Sequence, residues 1–137
     1  MAKYQKKFNL EILTPNSAIF SGEVVSMIFP AADGQVGILG GHAPLVAILG
    51  SGRLTIEEPN EKRQDFFVAG GFAHVRENTV SIMAEQCVAV AQLDKAFVQA
   101  QLEKAGQMPS DNEEAIQRRK AAIVAANAMM KMVTQKK

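Results

Sequence analysis

Tryptophan is absent from this 137-residue chain, tyrosine and cysteine occur once each, and histidine occurs twice. Each shortage closes a class of function. Cys87 has no second cysteine to pair with, so no internal disulfide can form and the sequence fits a reducing compartment. His42 and His74 lie 32 positions apart without a cluster of carboxylates or further histidines, which removes the ligand set that a small β-barrel metal enzyme requires. Tyr4 is the sole tyrosine, and the seven phenylalanines are not interleaved with Lys and Arg, so the stacking platform of a single-strand nucleic-acid binder is missing. No apolar run approaches the roughly 18 to 20 residues that span a bilayer. Residues 1–7 are followed by alternation rather than by the apolar core of a secretory leader. Ser, His and Asp offer no spacing that singles out a nucleophile, a base and an acid, and the chain reads as non-catalytic.

What is present is enough for a modest core. Hydrophobic residues make up 47% of the chain, which argues against disorder for one or two small domains. The formal net charge is +1, yet it is unevenly spread: Lys and Arg number 7 against 9 acids over residues 1–90, and 8 against 5 over residues 91–137. Arg118, Arg119, Lys120, Lys131, Lys136 and Lys137 all follow the last acid, Glu114. The tail therefore carries a local positive charge that the body lacks.

Period-two alternation dominates the first part. Phe8, Leu10 and Ile12 are expected on one strand face, Val24, Ser26 and Ile28 on another, and Leu54 and Ile56 on a third with Arg53, Thr55 and Glu57 opposite. Turn residues at 59–61 and 77–78 divide the following stretch into hairpin-like pieces over 64–69, 72–76 and 79–84. Several short strands at this spacing predict a β-sandwich or barrel in which two sheets pack face to face. Cys87 alternates with Ala89 and Ala91 and is expected as a buried structural thiol.

After Ala91 the period changes to that of a helix. Asp94 is a candidate N-cap, with Leu93 and Val98 placed as a hydrophobic staple and Val98, Leu102 and Ala105 on one face. Gly106 and Pro109 end this helix. The run Ser110-Asp-Asn-Glu113 predicts a capping box for a second helix, whose apolar positions include Ile116, Ile123 and Met130 and the row Ala115, Ala122, Ala126, Met129 and Val133. The short connection makes the pair an antiparallel hairpin, small-faced and marginal on its own.

The stretch from Asp33 to Leu45, Asp-Gly-Gln-Val-Gly-Ile-Leu-Gly-Gly-His-Ala-Pro-Leu, specifies shape more than chemistry. A phosphate cradle runs its glycines into a helix N-terminus with Lys and Ser or Thr behind them. Here they run into Leu45-Val-Ala-Ile-Leu49, so a turn-strand-turn corner of an all-β domain fits better. Gly34-Gln-Val-Gly-Ile-Leu followed by Gly41-His-Ala-Pro-Leu45 resembles the signature of the epsilon subunit of F-type rotary ATP synthases. Leu13-Thr-Pro15 before Ile19-Phe20-Ser-Gly22, Val68-Ala-Gly-Gly-Phe72 and Val80-Ser-Ile-Met-Ala84 resemble that family in order, and Leu93-Asp94 opens a helical tail as the family does.

The resemblance implies an all-β sandwich over residues 1–91 that binds the central stalk and rotor ring, followed over 92–137 by a regulatory two-helix hairpin. It implies a non-catalytic rotor subunit that couples ion-driven rotation to ATP synthesis and restrains ATP hydrolysis through its helices. The partners would be the gamma subunit and the ring of c subunits, with transient contact to alpha and beta, without nucleic acid or direct membrane insertion. The location would be peripheral, on the cytoplasmic side of a bacterial membrane. Gln35, His42, Ala43 and Pro44 would touch the rotor ring, the alternative for His42 being a solvated loop residue. Arg118, Arg119 and Lys120 would meet an acidic segment of beta, the alternative being a solvated helix face. Exposed ion pairs return only about 0.2 to 1 kcal/mol each, so these charges would select partner and register while re-burial of apolar surface drives opening. Family members that bind ATP carry an arginine three residues after the Asp94 position. Phe97 stands there, removing a guanidinium that could pair with phosphate, so ATP binding is expected to be weak or absent, with Lys95 the one alternative charge, and no other cofactor is expected. Two other classes stay open on the residues alone: a ligand-binding sandwich with a helical lid, and a nucleic-acid accessory protein using the basic tail.

Overall fold

The computed structural model describes residues 6–135, so Tyr4, Lys136 and Lys137 lie outside the described residues. The chain divides into two compact units, the first ending at Ala89 and the second beginning at Val90. The first holds eight strands: β1 (Phe8–Leu13), β2 (Ala18–Val24), β3 (Ser26–Ala31), β4 (Gly34–Leu39), β5 (Leu45–Ile48), β6 (Gly52–Glu57), β7 (Arg63–Arg76) and β8 (Thr79–Ala89). They join in the order β2-β1-β8-β7-β6-β3-β4, with β5 also paired to β7. All pairs are antiparallel except β1 with β8.

One core cluster takes Val24 from one end of that order and Ile38 from the other, with Leu10, Phe29, Ile56 and Ile82 between them. A sheet whose two ends share a core must fold over on itself, so the sandwich is made from one continuous sheet. The long strand β7 makes this possible. Its residues 63–68 pair with β6 and its residues 72–75 pair with β5. Between these halves sit Gly70 and Gly71, with φ of +73° and +98°.

That glycine pair exchanges the two faces of the strand. Phe66 and Val68 point into the core before it, and Ala73 and Val75 after it. Register does not slip, since Val68 faces Cys87 and Ala73 faces Ile82, so β8 exchanges faces at the same level. The sequence expectation of separate strands over 64–69 and 72–76 is therefore corrected to one kinked strand. Within it, Phe66, Phe67 and Val68 are all buried, so alternation is lost and both faces are covered.

A second correction concerns Val24, Ser26 and Ile28. Val24 and Val25 are both buried, and the break between β2 and β3 at Val25 shifts the period so that Met27 and Phe29 face inward while Ile28 is exposed. The Val25 amide donates to the Glu57 carbonyl at 2.8 Å, which fixes the break in place. Glu77 and Asn78, with φ of 48° and 62°, form the two-residue turn joining β7 and β8, a left-handed pair suited to a tight hairpin.

The second unit contains one 3-10 turn (Val90–Gln92) and two helices, α1 (Lys95–Gly106) and α2 (Glu113–Gln135). Asp94 caps α1, its Oδ1 accepting from the Phe97 amide at 2.8 Å. Val98 and Ala105 are buried on the expected face, and Leu93 is buried ahead of them. The cap of α2 is Asn112 rather than Ser110: Asn112 Oδ1 accepts from the Ala115 amide at 2.8 Å, placing the helix start two residues later than the capping-box reading. Ala115, Ala126 and Met129 from the expected row are buried, whereas Ile116 and Val124 are exposed. Asp94→Ala removes a cap acceptor and is expected to cost about 1 kcal/mol of helix stability. Loss of helical circular dichroism on mild heating, with the β signal unchanged, would register it.

Candidate functional site

Three surfaces are candidates, and two of them hold residues that the sequence singles out. The first is the edge of the sheet at β4 and the loop that follows. Gln35 is exposed near the start of β4, and His42, Ala43 and Pro44 are exposed in the loop between β4 and β5. The full length of β4 separates Gln35 from His42, so they mark the two ends of an edge strand rather than one point. His42 Nδ1 lies 2.6 Å from the Ala43 carbonyl oxygen, a hydrogen bond that the Nδ1–H tautomer donates.

The loop is held from behind by a residue that the sequence suggested only as a turn former. Asn78 Oδ1 accepts from the Gly41 amide at 3.4 Å, Asn78 Nδ2 donates to the Lys7 carbonyl at 2.8 Å, and its own carbonyl accepts from the Asn9 amide at 3.0 Å. Gly40 packs against Lys6 so closely that a Cβ would sit 2.6 Å from the Lys6 carbonyl oxygen. The left-handed backbone of Asn78 is the signal that could have marked it, because it turns the amide side chain back onto both neighbouring segments.

The second surface was not visible in the sequence. On the outer face beyond the glycine kink, cross-strand register aligns Ile48 with Phe72, Phe72 with Met83, and Met83 with Leu13. Ile48 is 69% exposed, Phe72 46% and Met83 38%, and Leu13 is half-buried. Val46, 67% exposed, extends the row along β5. Four adjacent strands thus present one apolar strip to solvent, a pattern associated with docking rather than with scattered surface residues.

The third surface is the basic cluster of α2. Arg118 pairs with Glu114 one turn earlier at 2.7 Å. Arg119 donates to the Gly106 carbonyl at 3.2 Å, joining α2 to the last turn of α1. Lys120 is exposed. Two of the three cations therefore already serve the hairpin. At the start of α1, the Asp94 carboxylate is used as the cap and Phe97 is half-buried.

Among the described residues no group of three or more His, Cys, Asp or Glu is arranged to hold a metal ion. No described helix is long and apolar enough to cross a membrane. Cys87 is half-buried beside the core, and burial pushes its thiol from 9.0 up to about 11. The folded protein holds that proton where the unfolded chain has lost it, so this group's contribution favours folding below pH 9 and is lost as pH rises toward 11. At pH 8, iodoacetamide is expected to alkylate Cys87 at least roughly a hundredfold more slowly than free cysteine. A rate matching free cysteine would contradict the burial.

Residues 7–90 match the β-sandwich domain of the ATP synthase delta/epsilon chain family. The chain belongs to that family. An ATP synthase epsilon chain of Leptospira borgpetersenii is 36% identical over 126 residues, covering 90% of this chain and 98% of that one. The epsilon chain of Chlorobium limicola is 41% identical over 85 residues, which cover 62% of this chain but 97% of its own length. In fold, this epsilon-type chain is similar to a chain of the Euglena gracilis mitochondrial ATP synthase, with a TM-score of 0.73 at 23% identity over 91% of this chain and 80% of that one. It is also similar to a chain of the Tetrahymena thermophila mitochondrial ATP synthase central stalk and c-ring, with a TM-score of 0.71 at 18% identity over 94% and 98%. Both likenesses in fold extend over more than nine-tenths of this epsilon-type chain.

Proposed function

We propose that this epsilon-type chain is a non-catalytic rotor subunit of an F-type ATP synthase, mechanically joining ion-driven rotation to ATP synthesis. The observation that carries the reading, beyond family membership, is the exposed apolar row Ile48, Phe72, Met83 and Leu13. A subunit that transmits torque needs a broad, rigid contact with its neighbour, and a row fixed by the ladders of four strands supplies one. The gamma subunit docks on this row. The edge formed by β4 and the following loop, with Gln35, His42, Ala43 and Pro44, faces the ring of c subunits. The subunit is peripheral, on the cytoplasmic side of a bacterial membrane, and reaches the membrane through the ring.

The helical pair restrains ATP hydrolysis. It is a separate compact unit, and the Chlorobium limicola relative is matched over 97% of its length by only 85 residues, about the span of the sandwich. The sandwich alone then suffices for coupling and the helices add control. Contact with beta through Arg118, Arg119 and Lys120 requires the first two to leave Glu114 and Gly106. Each such exposed bond is worth about 1 kcal/mol or less, so the exchange is easily reversed. ATP is at most a weak ligand of the hairpin, since Asp94 is engaged as a cap and Phe97 offers no cation to phosphate.

The test is ATP hydrolysis by the cognate alpha-beta-gamma complex, titrated with the full chain and with a version ending at Leu93, while binding of each is followed. Both are expected to bind, with inhibition by the full chain only. Failure of both to bind would remove the rotor reading, and equal inhibition by both would remove the helical brake.

A further inference from the structure

The kink in β7 leaves a groove of about 290 Å³ on the outer face of the sandwich. Gly71 lines it with bare backbone, across from Leu13, Thr14 and Pro15 at the end of β1 and in the turn that follows. Leu13, Pro15, Phe72, Met83 and Ala84 make an apolar lining, and Glu85 stands among them as the single ionisable group. The Glu85 side chain is exposed and lies over the bare backbone of Gly70, where an added Cβ would meet its carboxylate at 2.5 Å. It forms no ion pair or hydrogen bond among the described residues.

An apolar trough ending in an unpaired carboxylate is complementary to one kind of side chain: a long aliphatic stem with a cationic head. We propose that this groove seats a lysine or arginine projecting from the partner that docks on the apolar row. The inference rests on the reading of that row as the gamma-binding surface. The stem lies along Leu13, Pro15 and Met83, and the head pairs with Glu85, with the exposed face of Phe72 able to hold a guanidinium by cation–π attraction. A neutral apolar side chain would fill the same trough but leave the carboxylate desolvated and unpaired, which is unfavourable. The groove therefore sets register as well as affinity, because only one position along the partner's surface brings a basic residue to Glu85.

Binding of the full chain to the cognate alpha-beta-gamma complex, measured at low and high salt, tests this with Glu85→Gln, Glu85→Lys and Phe72→Asp. Glu85→Gln is expected to weaken binding about three- to tenfold at low salt, and the loss should shrink as salt screens the pair. Glu85→Lys should weaken it further, and reversing one basic residue of gamma to Glu should restore it. Wild-type affinity for both Glu85 variants, alongside lost binding by Phe72→Asp, would overturn the basic-residue socket and leave the apolar surface standing. Wild-type affinity for Phe72→Asp as well would show that the outer face is not the docking surface, and the inference would fall with it. Thermal melts of the variants, expected to match the wild type because Glu85 is exposed, separate a binding effect from misfolding.

Discussion

Gly71→Ala is expected to unfold the sandwich at temperatures at which the wild type is native. Two costs coincide at this position. A φ of +98° is unfavourable for any residue with a Cβ, by roughly 1–2 kcal/mol. The added carbon would also land on the carbonyl oxygen of Met83, in the neighbouring strand, where no flexible side chain can give way. Relief requires β7 and β8 to separate at the level where both exchange faces, and the Gly71 carbonyl would lose its bond from the Leu49 amide, now 3.0 Å. Together these amount to about 3 kcal/mol or more, a fall in melting temperature of roughly 10 to 20 °C for a unit of this size. Gly34→Ala is the matching control. Its φ of +138° carries a backbone cost, but a Cβ there meets nothing within 4 Å, so the fall should be clearly smaller. A Gly71→Ala melt within 2 °C of wild type would show that the kink relaxes without breaking the ladder.

The largest effect on function is expected from the apolar row. Ile48→Asp and Phe72→Asp each place a charge at the centre of the proposed gamma contact. Interface anchors of this size are worth about 2–4 kcal/mol, which corresponds to a loss of affinity between roughly thirtyfold and a thousandfold. Neither change should harm folding, since Ile48 is 69% and Phe72 46% exposed in the free chain. Binding to the cognate alpha-beta-gamma complex, read beside the melting temperature, distinguishes the outcomes. Unchanged affinity in both variants would move gamma to another face.

The class of fold could be read directly from the residues, because alternation in Phe8, Leu10 and Ile12 and the cap at Asp94 are local signals that the tertiary structure leaves intact. The glycine-rich loop was equally legible in Gly41-His-Ala-Pro44. What could not be read depended on pairing. The kink at Gly70 and Gly71 looks like a turn in one dimension, since glycine pairs usually end strands, and only the unbroken register with β8 reveals a single strand. The outer row needs residues 13, 48, 72 and 83 to meet, and nothing in their sequence spacing brings them together. Asn112 and Ser110 are both good caps, and the choice between them was settled by which amide the side chain reaches. Arg118 and Arg119 looked available until the neighbouring turn and the end of α1 supplied partners.

The parallel pairing of β1 with β8 has a consequence for how the chain is made. Leu10 rests beside Val80, seventy residues later, so β1 waits for β8, the last strand of the sandwich, before its second edge is covered. Until then the hairpin of β1 and β2 exposes unpaired backbone groups, and the nascent sandwich is open to edge-to-edge association. Both helices lie C-terminal to β8, so closing that edge needs no residue of the helical unit. The long-range step that completes the sandwich is therefore the pairing of β1 with β8, a contact of high sequence separation and so a slow one.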